Sequence, residues 1–131
     1  MATLGLLDDA SAGPDALAVF DDIRAVRGSE YINNFWRALA HDPALLEAIW
    51  SRLKQVMAPG ALDPLVKEMV YVAVSVANGC EYCIHSHTAA AKAKGMSEAQ
   101  HAELLAVIGM ASQTNALATA LAVEVDARFR V

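Results

Sequence analysis

Asn78-Gly79-Cys80-Glu81-Tyr82-Cys83-Ile84-His85-Ser86-His87 holds both cysteines of the chain and two of its four histidines. If the backbone turns helical at or near Cys80, a rotation of about 100° per residue sets Cys83 about 60° to one side of Cys80 and His87 about 20° to the other. Those three side chains then share a face, while His85, about 140° away, points elsewhere. A CxxC at a helix start meets unpaired N–H groups and the positive end of the dipole, which favour thiolate over thiol. Without that help a free cysteine, with a pKa of about 8.5, is only a few per cent ionised at neutral pH. His87, one turn beyond Cys83, is spaced to take or return its proton. Upstream stands Glu68, with eleven residues between it and Cys80.

At 131 residues the chain has the length of one domain. It is 56% hydrophobic but only 6% aromatic, a mixture rich in alanine that suits closely packed helices better than a sandwich. Charged residues make up 19%, below the usual quarter, which points to surface buried between subunits. A net charge of −5 gives no footprint for nucleic acid or an anionic membrane surface. There is no signal-peptide pattern and no apolar run of membrane-spanning length, so a cytoplasmic protein is expected. In that compartment a two-cysteine CxxC more often serves redox or metal chemistry than stapling.

The expected architecture is all-α. Residues 1–13 read as a flexible lead-in, and residues 14–131 as a single helical domain. Pro14 or Asp15 opens a first helix and Gly28 closes it. Ser29 is the expected cap of a second helix bearing Tyr31, Ile32, Phe35, Trp36 and Leu39, read as packing residues. Asp42-Pro43 and Asp63-Pro64 are each an N-cap followed by proline at the first helical position. After Asp63-Pro64, Val70, Val72, Val74 and Val76 alternate as a strand would, yet Leu65, Glu68, Met69, Val72 and Val76 also form a helical stripe. The cap decides for helix. Glu68 then lies on an apolar face, where desolvation would tend to raise its pKa and make it a proton carrier. Asn78-Gly79 lets the CxxC helix run back against this one, Gly95 ends it, and Ser97 to Gln100 form a capping box. Gly109 is a candidate interruption of the last helix.

Glu68, eleven residues, Cys80, two residues, Cys83, three residues, His87: this spacing resembles the signature of the alkyl hydroperoxidase D group within the carboxymuconolactone decarboxylase-like superfamily. The surrounding Asn78-Gly79 and Gly95-Met96-Ser97 resemble it too, over roughly residues 30 to 125. The resemblance implies an all-α bundle that assembles into trimers or hexamers, and a reducible disulfide at the CxxC. It further implies that Cys83 attacks a hydroperoxide, that Cys80 resolves the sulfenic acid, and that Glu68 and His87 relay protons. No cofactor is implied. Regeneration would fall to an external dithiol, such as a lipoylated or thioredoxin-like protein. In one respect the sequence departs from peroxidase members of the group, because Tyr82 stands where they carry a histidine just before the second cysteine. Tyrosine, with a pKa near 10, does not shuttle protons at neutral pH, and His85 would substitute only if the helix began later.

Two other readings compete with a thiol-dependent peroxide reductase. Glu68 and His87 could serve as acid and base in a cofactor-free lyase of the carboxymuconolactone type, with the cysteines incidental. Alternatively, the chain could be a non-enzymatic oligomer that senses redox state or binds a metal through Cys80, Cys83, His87 and Glu68, although structural zinc sites usually draw on two separated ligand pairs. Redox chemistry is favoured, no metal is expected, and a hexamer is favoured over a trimer because so short and apolar a chain has more greasy surface than one small core hides.

Overall fold

The structure, a computed structural model, describes residues 1–131 and contains six α-helices, a final short 3₁₀ turn and no strand. It divides into two compact units, Met1–Ala58 and Pro59–Val131.

The first unit holds α1 (Pro14–Arg27), α2 (Asn34–Leu39) and α3 (Pro43–Met57). Ala16, Val19, Phe20 and Ile23 recur at helical spacing on α1 and are buried against Trp36, Leu46 and Trp50. The Trp36 and Trp50 rings meet edge to face, centroids 5.4 Å apart, and the Arg27 guanidinium lies over both. The indole N–H of Trp50 is satisfied by Asp22 at 2.6 Å, and Lys54 Nζ binds the same oxygen at 2.5 Å. Gly28 adopts φ 62° and donates its N–H to the Arg24 carbonyl, ending α1 as expected. Asp42 accepts from the Leu45 N–H in front of Pro43.

The second helix differs from its sequence reading. It begins at Asn34, not after Ser29, whose hydroxyl instead accepts the Tyr31 N–H in a local turn. Trp36 is consequently buried and Ile32 with it, while Tyr31 and Phe35 are exposed. Residues ahead of α1 are tied to this unit: Leu7 exchanges hydrogen bonds with Arg37, and Asp9 bridges Arg24 at 2.6 Å and Arg37 at 3.1 Å.

The second unit holds α4 (Pro64–Ala77), α5 (Glu81–Ala93) and α6 (Glu98–Ala120). The valine-rich segment is helical, as the Asp63-Pro64 cap requires, and Asp63 accepts the Leu65 N–H at 2.8 Å. A helix buries Glu68, Val72 and Ser75 on one face, whereas strand alternation would have faced the odd and even positions apart. Gly79 at φ 67° turns the chain, and α5 packs back on α4. Gly95 at φ 98° follows the C-cap of α5, and Ser97 with Gln100 forms the reciprocal capping box of α6. Gly109 does not interrupt α6, which runs unbroken for 23 residues. One interior glycine costs about 1 kcal/mol relative to alanine, too little to break a helix of that length.

Leu46→Ala, at a fully buried site, should cost about 2–5 kcal/mol, and Asp42→Ala, which removes only a cap acceptor, about 1 kcal/mol. Chemical denaturation of the two variants tests this ranking, and a reversed order would contradict the packing described for the first unit.

Candidate active site

Cys80 is the N-cap of α5, and its Sγ accepts the Cys83 N–H at 3.3 Å. Its own N–H goes to the Ser75 carbonyl at 3.0 Å, which ties the start of α5 to the end of α4. The two cysteines are joined as a disulfide with their Cα atoms 5.3 Å apart. The sulfur pair therefore sits at the positive end of the helix dipole, as the CxxC spacing predicts.

His87 lies one turn beyond Cys83, and its Nδ1 is 2.7 Å from Oε2 of Glu68. Glu68 is 4% exposed. Its other oxygen, Oε1, accepts from Lys94 Nζ at 2.9 Å. Tyr71, one turn after Glu68 on α4, stacks on the imidazole with centroids 3.5 Å apart and planes 18° from parallel. The ring of His87 is thus held on its face by Tyr71 and at its edge by Glu68.

The direction in which Glu68 is perturbed reverses the sequence expectation. Burial alone pushes its pKa up, but the hydrogen bonds from His87 and Lys94 and the Lys94 charge together outweigh burial and hold it below its ordinary value of 4.5. Glu68 is thus held as a carboxylate, and Nδ1 of His87 donates to it. This leaves Nε2 as the ring atom able to accept a proton.

The structure brings Glu68 to His87 and Cys80 to Cys83 on two successive helices. His85 is exposed, and because α5 begins at Glu81 it does not take the place of a histidine between the cysteines. Tyr82, in that place, is 44% exposed. The four-ligand metal arrangement does not form, since no three His, Cys, Asp or Glu side chains converge, and Lys94 occupies one of the two Glu68 oxygens. Lys94 and Tyr71 were missed at the sequence level. Both carried a signal: Lys94 stands two turns after His87 on the face defined by Cys80, Cys83 and His87, and Tyr71 one turn after Glu68.

A carboxylate whose folded pKa is depressed contributes stability above its unfolded pKa, near 4.5, and that contribution is lost as the pH falls through the folded value. Asp9 and Asp22 are lowered as well, each mainly by side-chain hydrogen bonds from basic partners, so acid sensitivity is shared. Urea midpoints measured against pH for wild type and Glu68→Gln isolate the Glu68 share: their difference should shrink steadily below pH 4.5, and a constant difference would refute it.

Residues 43–124 match the model of the carboxymuconolactone decarboxylase family. Over 103 residues the chain is 38% identical to a Solibacter usitatus protein named alkyl hydroperoxide reductase AhpD, covering 78% of this chain and 56% of that relative, so it spans little more than half the relative's length. An uncharacterized protein of Cupriavidus necator is 35% identical over 77 residues, 58% of this chain and 68% of its own. The fold superposes with a TM-score of 0.96 on a crystal structure described as the alkylhydroperoxidase AhpD core from Rhodospirillum rubrum, at 63% identity over 100% of this chain and 98% of that one. With the family match spanning most of the chain and this structural neighbour covering all of it, the chain belongs to the carboxymuconolactone decarboxylase family and is alkyl hydroperoxidase D-like.

Proposed function

We propose that the chain is a thiol-dependent hydroperoxide reductase whose reacting groups are Cys83, Cys80, His87 and Glu68. The observation that carries this reading is the Cys80–Cys83 disulfide at the start of α5, on the same helix as the imidazole that Glu68 engages. His87 takes the Cys83 proton at Nε2, and the thiolate attacks one oxygen of the O–O bond. A sulfur–oxygen bond forms, the O–O bond breaks, and the proton held by His87 passes to the leaving alkoxide, which departs as alcohol. Cys80 then attacks the sulfenic sulfur and releases water, so that the peroxide is reduced by two electrons and the thiol pair oxidised by two. An external dithiol, on a lipoylated or thioredoxin-like protein, returns those electrons by exchange. No step requires a cofactor.

The names of the Solibacter and Rhodospirillum proteins support the peroxide reading, whereas the family description also covers a decarboxylase. A lyase using only Glu68 and His87 would leave the Cys80–Cys83 disulfide without a role. No helix is long and apolar enough to cross a membrane. The cytoplasm is the proposed compartment, since its dithiol systems supply the reductant.

We also propose a homo-oligomer, with a hexamer favoured. Not one residue of α6 is buried within the chain, and Leu105, Val107, Met110 and Leu117 on it, with Leu121 at its C-cap, are at least half exposed. Valines 66, 70 and 74 form a second exposed stripe, on α4.

Thiol titration with mass spectrometry, before and after one equivalent of hydroperoxide, tests the chemistry: the reduced protein should lose both thiols and gain one intramolecular disulfide. Cys83→Ser should abolish hydroperoxide consumption, and His87→Ala should lower it by about 10²-fold or more. Turnover that survives in Cys83→Ser, or after alkylation of both thiols, would reject the mechanism. Sedimentation should give a mass several times that of the chain, and a monomer at micromolar concentration would exclude the assembly.

A further inference from the structure

The Glu68 carboxylate has one more partner than a two-member relay needs. His87 takes Oε2 and Lys94 takes Oε1, and the carboxylate between them is almost wholly out of water. Lys94 is the C-cap residue of α5, and its side chain is 39% exposed, so its head group reaches inward from a position where water would otherwise hold it. We infer that Lys94 is a positioning residue that fixes the place of one proton: by holding Oε1 it keeps Glu68 unprotonated and the shared proton on His87 Nδ1, so that Nε2 stays an open acceptor.

Counting charge shows why the third member matters. With Lys94 present, an ammonium, a carboxylate and a neutral imidazole sum to zero, and the buried charge is compensated without any further proton. Without the ammonium, the carboxylate is left against a neutral imidazole, and the pair recovers its compensation by binding one proton more. That proton has two places to go. On the imidazole, it makes a cation with both nitrogens protonated. On Glu68, it turns the carboxyl into a donor toward Nδ1, which drives the ring to its other tautomer. In either state Nε2 carries a proton and no longer accepts one. The loss of Lys94 therefore acts on the atom nearest the proposed chemistry through a residue that need not touch substrate.

The groups positioned to interfere with this balance are few. From α4, Tyr71 stacks on the imidazole. From α5, the cysteines are tied in their disulfide, and Lys92 is engaged with Glu98 at 3.4 Å. From α6, which also packs on α4, His101 is partly buried, Glu98 faces Lys92 and Glu103 is exposed. Lys94 is the cation in hydrogen-bond contact with Glu68. Arginine at this position would keep the charge and the donor, whereas methionine or glutamine would keep the length without the charge.

The consequence for turnover rests on the peroxide-reductase reading, while the placement of the proton rests on the geometry of α4 and α5. Nitrogen-15 NMR of the imidazole in the disulfide form, across pH 5 to 9, tests the placement in wild type, Lys94→Met, Lys94→Gln and Lys94→Arg. The pH profile of hydroperoxide consumption by the reduced proteins, with dithiothreitol as reductant, tests the consequence. The two neutral variants should show Nε2 protonated at pH 7, with the proton uptake of the Glu68–His87 pair and the acid limb of the activity profile displaced upward by about one unit or more. Lys94→Arg should restore both. Superimposable imidazole titrations in wild type and either neutral variant would overturn the inference, as would an arginine variant displaced as far as the neutral ones. If the imidazole shifts as described but wild type consumes no hydroperoxide, the proton placement stands and the peroxide-reductase reading falls.

Discussion

A carboxylate taken out of water must be compensated, and in the second unit that requirement fixes one helix upon another. An uncompensated buried charge costs several kcal/mol, which a three-helix unit of modest core could not absorb. Glu68 on α4 is met by two groups from α5, the imidazole of His87 and the ammonium of Lys94. At the other end of α5, the Cys80 N–H binds the Ser75 carbonyl of α4. With both ends of α5 referenced to the same neighbour, sliding by one turn would break the compensation and the turn together. The register that satisfies Glu68 is also the register that sets the CxxC at a helix start, so the demands of stability and of the proposed chemistry coincide.

The polarity of α5 follows the same logic. Its first turn carries Glu81 and the sulfur pair, where unpaired N–H groups favour negative charge, and its C-cap is a lysine, where the last carbonyls favour positive charge. Cys80 spends its side chain as the cap acceptor, a place more often taken by serine or aspartate. The helix end and the disulfide are therefore one structure.

Most of the helical architecture was legible because its punctuation is chemical. Asp42-Pro43, Asp63-Pro64, Ser97 to Gln100, Gly28 and Gly95 each mark a boundary that the backbone observes. The valine-rich segment could be read either way by alternation, and the cap decided it correctly because a capped start commits the chain before the pattern of side chains is expressed. Ser29 misled for an opposite reason. Its hydroxyl has a local donor two residues on, and a short side chain that can satisfy the backbone within a turn makes as good a loop residue as a cap. At the site, the spacing of Cys80, Cys83, His87 and Glu68 was visible from sequence, but the ionisation of Glu68 was not. The apolar face predicted desolvation, which is indeed the largest influence on that carboxyl. What reversed its direction were the hydrogen bonds from His87, 19 positions away, and Lys94, 26 positions away, both brought near by the return of α5 along α4.

The two units divide the use of apolar residues unequally, and this bears on how the second is stabilised. In the first, a cluster of side chains drawn from Ala12 to Trp50 is buried, Phe20, Trp36 and Trp50 among them. In the second, Val72, Ala91 and Met96 are the buried apolar side chains, and the face that encloses Glu68 is partly polar. A fully buried Val or Met contributes about 1.5–3 kcal/mol and an alanine less, so these three positions cannot by themselves offset the ordering of more than seventy residues. The remaining apolar material lies on α6 and the outer valines of α4 in a chain with only 19% charged residues. Burial of those faces against further copies would supply the missing stabilisation and would also hold α4, and with it Glu68, against α5. Under that arrangement assembly and proton placement are linked, because loosening α4 from its outer side loosens the carboxylate on its inner one.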